Sequence, residues 1–173
     1  MHFLLDFLSN KFFLTAMASW TVAQVLKVFI YAIINKTWDF SRLFGDGGMP
    51  SGHSATVSSL ATICALTYGF NSFEFAISGI LAIIVCHDAM GVRREAGKHA
   101  KLLNLLVDSY EKFSKNELPE VVLKEFVGHT PLQVTTGIIL GITCAFVMHF
   151  WIFILKEAFY VRTRLWFFKA SAS

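Results

Sequence analysis

Long apolar stretches alternate with short polar segments along the chain, and this pattern predicts membrane-spanning helices. No Asp, Glu, Lys or Arg occurs between Asp46 and Glu74, or between Glu125 and Lys156. A helix of about 20 apolar residues crosses the hydrocarbon core of a bilayer. Four such helices are predicted, at about 12–34, 52–70, 73–91 and 131–155. We therefore expect an all-α integral membrane helical bundle that forms a single membrane domain over residues 1–173.

A polar segment, residues 92–130, separates the third and fourth predicted spans. Within it apolar residues recur at helical spacing, and charged residues, four lysines and Asp108, fill the opposite side. The apolar set is Ala96, Leu103, Leu106, Tyr110 and Phe113. This pattern predicts an amphipathic helix that lies on the membrane surface or on the bundle.

The distribution of Lys and Arg predicts how the bundle is oriented. With four spans, the loop 35–51 and the segment 92–130 share one membrane face, and they carry nine Lys and Arg against five on the other face. Loops on the cytoplasmic side carry an excess of these residues. The pattern favours two cytoplasmic loops and both termini outside.

Composition excludes several classes of protein. Hydrophobic residues make up 55% of the chain and charged residues 16%, which is far too apolar for an intrinsically disordered protein. The net charge of +3 is spread along the chain, so no nucleic-acid partner is expected. Cys64, Cys86 and Cys144 lie in apolar stretches without metal-ligand spacing, and we interpret them as small packed residues.

Three polar motifs stand at the ends of the predicted spans. They are GGMPSGHS at 47–54, DAMGVRR at 88–94 and GHTP at 128–131. In a bundle of four spans all three lie on one membrane face. Polar residues at membrane depth are costly and usually functional, so we expect these motifs to form one site.

The residue types in these motifs suit a phosphate. A Gly-rich turn that leads into a helix N-terminus favours an anion, and the Ser51 hydroxyl adds a donor. Arg93 and Arg94 carry forked cations that match phosphate oxygens. Of His53 and His129, one could attack phosphorus while the other protonates the leaving oxygen. Metal ligation by the two histidines is the alternative, and the neighbouring Arg and Gly residues disfavour it.

The motifs resemble a known family. PSGH at 50–53 is the signature of the type 2 phosphatidic acid phosphatase superfamily, which also includes the vanadium haloperoxidases. HTPLQVTTG at 129–137 resembles its last motif, with His, Pro, Val and Gly in register. With DAMGVRREAG at 88–97, the sequence is similar to the divergent bacterial branch of this superfamily over residues 36–145. The resemblance implies that His129 is the nucleophile and becomes a phosphohistidine during the reaction. It also implies that His53 is the acid that protonates the leaving oxygen.

The resemblance also implies a set of residues that bind the substrate's phosphate, which we call the phosphate cradle. The predicted residues of this cradle are Arg93, Arg94, Ser51, Gly52, Lys36 and Arg42. We expect no metal or cofactor, because Arg and backbone N–H groups supply the charge stabilisation. A bacterial inner (plasma) membrane is the expected location, with a membrane lipid phosphate as partner.

Two departures concern the region before the nucleophile. The family's Arg six residues before the nucleophilic His is Leu123 here, and Arg93 or Arg94 could replace it. A second register makes His99, six residues after Arg93, a rival nucleophile. Nothing after His99 matches the family's Pro and Val.

Three further departures concern other parts of the pattern. Gln133 occupies the position of the Asp that orients the nucleophile, and Asp88 is the alternative for that role. Lys36 and Arg42 are spaced one residue too short for the family's first motif, and no Pro follows Arg42. Family members usually have six membrane helices, which leaves a homodimer through membrane helices open. Gly137 and Gly141 form a GxxxG pair that predicts close helix packing.

Three functions remain in competition. The first is a membrane phosphatase acting on a lipid phosphate or diphosphate. The second is a lipid-phosphate binder or transporter without turnover, which the changes at 123 and 133 favour. The third is a small structural membrane subunit whose motifs are only packing turns.

Overall fold

The computed structural model of the chain describes residue 5 and residues 7–43, 47–114, 123 and 128–170. Within these residues the chain forms five α-helices and no strand. They are α1 (Lys11–Asn35), α2 (Gly52–Tyr68), α3 (Phe73–Met90), α4 (Val92–Ser114) and α5 (Pro131–Ala170), with a short 3-10 helix at Phe40–Leu43. The predicted all-α class is confirmed.

Short polar side chains begin the first three helices. The side chains of Asn10, Ser51 and Ser72 accept hydrogen bonds from backbone N–H groups in the first turns of α1, α2 and α3. Such caps satisfy donors that have no partner within the helix. Since residues 69–72 alone join α2 to α3, these helices form a tight hairpin.

The second helix lies at the centre of the bundle. It packs against α1, α3 and α5, and most of its buried side chains are Gly, Ala or Ser. The buried Ser19 hydroxyl of α1 donates to the carbonyl of Ala55 at 3.0 Å, and the Ser58 hydroxyl donates to the carbonyl of Ser54 at 2.6 Å. Small residues let membrane helices approach closely, and hydroxyls that bond to carbonyls leave no unpaired donor in an apolar medium.

The GxxxG pair of α5 faces α2. A Cβ atom built on Gly137 would lie 2.5 Å from the carbonyl oxygen of Ser51, and one on Gly141 would collide with Ser58 and the carbonyl of Ala55. The predicted close packing therefore occurs within one chain, and it holds the starts of α2 and α5 side by side. The homodimer stays a prediction.

The helices have the length and composition of a membrane protein. Among the described residues, three stretches are long and apolar enough to cross a bilayer, namely Lys11–Asn35, Phe73–Tyr110 and Pro131–Ile152. The central α2 has 17 residues, which is the lower limit for a span. α5 continues beyond the predicted end at 155 to Ala170. The protein is thus a membrane helical bundle, while the count of four spans stays a prediction.

The fourth helix follows α3 directly after Gly91 and is amphipathic, as the sequence predicts. Its Asn104 side chain pairs with the backbone of Leu123 in both directions, with the amide nitrogen donating at 3.0 Å and the amide oxygen accepting at 3.1 Å. The chain therefore returns to α4 at this point. The remainder of the predicted amphipathic segment, 115–122 and 124–127, lies outside the described residues.

Candidate active site

The three polar motifs meet at the end of the bundle where α2 and α5 begin and α3 ends. The backbone N–H of Ser51 donates to the carbonyl of Gln133 at 3.0 Å, and that of His129 donates to the carbonyl of Ala89 at 3.0 Å. These two bonds tie the three motifs to one another. The rings of His53 and His129 consequently lie with their centroids 6.3 Å apart.

A glycine lets the last motif approach the start of α4. Gly128 has φ +126°, and a Cβ atom there would lie 2.5 Å from the backbone nitrogen of Arg94. Both the dihedral angle and the contact exclude a larger residue. Gly128 therefore sets the position of His129 against Arg93 and Arg94.

The side chain of Gln133 fixes the ring of His129. Its Oε1 accepts the backbone N–H of Thr130 at 3.0 Å and lies 3.2 Å from Nδ1 of His129. The Thr130 hydroxyl in turn accepts the backbone N–H of Gln133 at 3.4 Å, which completes a capping box at the start of α5. Because Oε1 is an acceptor, Nδ1 must carry the proton. Nε2 of His129 is then left with a free lone pair.

The environment of His129 favours the neutral ring. His129 is only 3% exposed, and this burial lowers its pKa below the ordinary value of 6.5. The hydrogen bond to Gln133 opposes that shift, while the charges of His53, Lys27 and Arg93 act in the same direction as burial. A neutral imidazole is the form that can act as a nucleophile.

Lys27 is a member of the site that the sequence analysis did not assign. It lies on α1 and is 4% exposed, and its side-chain Cγ lies 3.0 Å from a Cβ atom built on Gly48 of the first motif. Its charge acts on His129. The sequence carried a signal, because Lys27 is the only charged residue between Phe12 and Ile34 and intramembrane charges are usually functional.

Gln24 lies one turn before Lys27 on the same side of α1. It is 7% exposed, and among the described atoms its Oε1 has no hydrogen-bond partner. That oxygen lies 3.7 Å from a Cβ atom built on Gly52. A buried acceptor without a donor costs about 1–3 kcal/mol, so Gln24 adds an unsatisfied polar atom beside the start of α2.

Asp88 and Arg93 form an ion pair across the junction of α3 and α4. The Arg93 Nε donates to the Asp88 Oδ2 at 2.9 Å, and both side chains are partly exposed. Asp88 thus holds Arg93, while Gln133 is the residue that contacts the His129 ring. The side chain of Arg94 is exposed, and its backbone is the part that meets Gly128.

The other predicted residues take different positions. Ser51 and Gly52 are buried at the start of α2, and the Ser51 hydroxyl caps that helix. Arg42 pairs with Asp39 at 3.3 Å and lies over the ring of Tyr31. Lys36 is exposed beyond the end of α1.

The rival nucleophile is separated from this cluster along α4. His99 is exposed in the second turn of that helix, whereas His129 lies buried between α2 and α3.

No three His, Cys, Asp or Glu come together within the described part of the chain. Two cations, Lys27 and Arg93, act on His129, and this positive field suits an anionic ligand.

Comparison with known proteins agrees with the motifs. The model of the divergent PAP2 family matches residues 8–144. The Bacillus subtilis (strain 168) protein described as uncharacterized membrane protein YuiD is 39% identical over 153 residues, which cover 83% of this chain and 97% of that protein. No solved structure matches the chain. This chain therefore belongs to the divergent PAP2 family.

Proposed function

We propose that the protein is a membrane phosphatase of the bacterial inner membrane that hydrolyses a lipid phosphate or diphosphate through a phosphohistidine. One observation carries the proposal. Two histidine rings lie 6.3 Å apart, one of them has its Nδ1 held by Gln133, and two cations act on it. Family membership supports a phosphatase-related function.

The phosphate would bind between His53 and His129. Lys27 and Arg93 would neutralise its charge, and Asp88 would keep Arg93 in position through their ion pair. At the start of α2 the backbone N–H groups of Gly52 and His53, which precede the capped N–H of Ser54, would add donors, and the helix would add the positive end of its dipole. Such preorganised charge is worth most where water is excluded, as around the buried His129.

In the first step Nε2 of His129 attacks phosphorus. A P–N bond forms, the bond from phosphorus to the lipid oxygen breaks, and protonated His53 gives its proton to that oxygen. The products are a lipid alcohol and phosphohistidine when the substrate is a monophosphate. His53 is exposed and therefore accessible to the leaving group.

In the second step water attacks the same phosphorus. His53, now neutral, takes a proton from the water, the P–N bond breaks, and inorganic phosphate leaves. Nδ1 of His129 keeps its proton throughout, because Gln133 Oε1 accepts it. The Gln133 amide cannot balance the positive charge of the phosphorylated ring as a carboxylate does.

A second candidate function follows from that last point. The neutral Gln133 at this position favours a lipid-phosphate binder or transporter that keeps the cradle without turnover. This candidate predicts that phosphate analogues bind while no phosphate is released.

Phosphate release by the detergent-purified protein tests both candidates. The substrates are phosphatidate, phosphatidylglycerol phosphate, and polyprenyl mono- and diphosphates, with a chelator present. We expect vanadate-sensitive release that His53→Ala lowers by about 10²–10⁴-fold, the usual contribution of a proton-transfer group. His129→Ala removes the nucleophile itself, so we expect it to lower release by at least as much.

Two matched histidine variants serve as controls. His99→Ala tests the rival register on α4, and His149→Ala removes a half-buried histidine about 30 Å away along α5. Both should keep wild-type activity. Activity that survives His129→Ala but is lost in His99→Ala contradicts the assignment of the nucleophile. Vanadate binding without any release would make the binder the better description.

A further inference from the structure

A groove-shaped cavity of about 300 Å³ lies between α1 and α5, beside the candidate active site. Ligand sites begin at about this size. Three parts of the chain form its walls: Leu26 and Ile30 of α1, Met49 and Pro50 of the loop before α2, and Ile139 and Leu140 of α5.

The lining of this cavity is apolar, although two of its residues are threonines. Thr136 and Thr143 also line it, but both hydroxyls are used by the α5 backbone. Thr136 donates to the carbonyl of Leu132 at 2.9 Å, and Thr143 donates to the carbonyl of Ile139 at 2.8 Å. A buried water needs two to four polar partners, so such a cavity suits hydrocarbon rather than water.

The cavity lies next to the candidate active site along α5, and its lining includes Met49 and Pro50 of the first motif. Gln133, Thr136, Leu140 and Thr143 follow one face of α5 at helical spacing, with Gln133 at the end nearest His129. The Thr136 hydroxyl also lies 3.0 Å from the carbonyl of Gln133, the same carbonyl that accepts the N–H of Ser51. Thr143 lies about 15 Å farther along the axis than Gln133, at a rise of about 1.5 Å per residue.

The cavity is open along its side, between α1 and α5. Both of its helical walls belong to stretches long and apolar enough to cross a bilayer. Ile139 is 59% exposed and Leu26 is 37% exposed at its edge. A hydrocarbon chain could therefore enter from the bilayer between α1 and α5 without passing through water.

We propose that this groove between α1 and α5 binds the hydrocarbon chain of a lipid whose phosphate lies at His129. The proposal rests on the proposed function. It adds the route by which the lipid enters and the place where its hydrocarbon chain binds. A chain that leaves the bilayer for the groove exchanges one apolar medium for another, so the groove adds little hydrophobic free energy. Its contribution is orientation, because a seated chain holds the phosphorus within reach of Nε2.

Blocking the groove tests this directly. Ile139→Trp places a large ring in the groove, and Ile142→Trp, one turn away on the same helix and outside the lining, is the matched control. Each variant is assayed with a long-chain lipid phosphate and with phenyl phosphate, which has no chain. We expect Ile139→Trp to lower kcat/KM for the lipid by at least about tenfold, the lower end of the cost of a misfit in an apolar pocket. Phenyl phosphate hydrolysis should stay within about twofold, and Ile142→Trp should match the wild type on both substrates.

Photocrosslinking of the wild-type protein gives a readout that needs no turnover. A lipid phosphate with a diazirine near the end of its chain should label the groove residues of α1 and α5, above all Leu26, Ile139 and Leu140. Unlabelled lipid phosphate should compete, and diacylglycerol, which lacks the phosphate, should compete far less.

The two experiments separate the groove from the phosphatase. Hydrolysis that Ile139→Trp and Ile142→Trp lower equally, or labelling that diacylglycerol displaces as well as lipid phosphate does, overturns the groove and leaves the phosphatase standing. Absence of hydrolysis together with phosphate-dependent labelling of the groove overturns the phosphatase and supports the groove as a lipid-phosphate site.

Discussion

The side-chain oxygen of Gln133 lies 3.2 Å from Nδ1 of His129. The same oxygen accepts the backbone N–H of Thr130, so its position is set by the cap of α5. This arrangement orients the imidazole and selects its tautomer without bringing a negative charge beside it. A carboxylate at this position would both orient the ring and balance a positive charge on it, whereas Gln133 can only orient it. The two effects are thus separated in this protein.

Replacing Gln133 tests that separation. Gln133→Glu keeps the capping box, since Glu is as suitable as Gln at this position, and adds a charge that stabilises the phosphorylated ring. We expect kcat to rise by about tenfold, which corresponds to about 1.4 kcal/mol. Gln133→Leu removes the oxygen that caps α5 and that fixes the tautomer of His129. We expect kcat of this variant to fall on the order of 10²-fold. Steady-state kinetics with the preferred lipid phosphate measures both, and equal rates in wild type and Gln133→Leu would contradict the orienting role.

The buried lysine on α1 should bind substrate phosphate. We expect Lys27→Met to raise KM by about tenfold or more, because a partly desolvated charge contact with phosphate is worth about 1.5–3 kcal/mol. Lys36→Met changes the exposed lysine that the sequence pattern suggested, and it should leave KM unchanged. A rise in KM in Lys36→Met alone would contradict the role of Lys27. Thermal unfolding of both variants checks that the bundle remains intact.

The pH dependence of kcat/KM should report the lowered pKa of His129. Burial and neighbouring cations favour the neutral ring, so the nucleophile stays active below pH 6.5 and is lost only as pH falls through the lowered pKa. The acidic limb of the profile is therefore expected below 6.5. Lys27→Met removes one cation and Gln133→Glu adds an anion, and both should move this limb to higher pH. An acidic limb above 6.5 in the wild type would be inconsistent with the buried, neutral ring.

The close contact between α2 and α5 should not tolerate a methyl group. Gly137→Ala forces a Cβ atom to within 2.5 Å of the Ser51 carbonyl oxygen, and we expect a loss of about 1–3 kcal/mol in stability. Gly79→Ala on α3 is the matched control, because its nearest neighbour would lie at 3.8 Å, an ordinary contact. That variant should be neutral or gain about 0.5–1 kcal/mol from helix propensity. Thermal unfolding in detergent compares the two, and equal stabilities would argue against the tight α2–α5 contact.

Much of the fold could be predicted because the signals are local. The gaps without charge mark the apolar helices, and Ser51 and Ser72 mark where α2 and α3 begin. Capping and apolar helix formation depend on neighbours within a few residues of the chain. Because successive spans cross the membrane in alternating directions, the predicted order of the spans also placed the three polar motifs at one end of the bundle.

Much of the site depended on packing between distant segments. Lys27 was visible as an isolated charge, but nothing along the chain indicates that its charge acts on His129, about a hundred residues away. The sequence also did not indicate that Arg42, a predicted phosphate ligand, would lie over the ring of Tyr31. Gly137 and Gly141 predicted close packing, but whether the partner helix belongs to the same chain was open until α5 met α2.

The sequence by itself determined the helical class, the positions of the helix starts and the motif residues that identify the family. Those properties follow from side-chain chemistry and short-range hydrogen bonding. Tertiary structure alone decided the tautomer of His129, the recruitment of Lys27, the pairing of Asp88 with Arg93 and the groove between α1 and α5. These depend on which face of each helix turns inward, and that choice is made by the shapes and charges of helices that lie far apart in the chain.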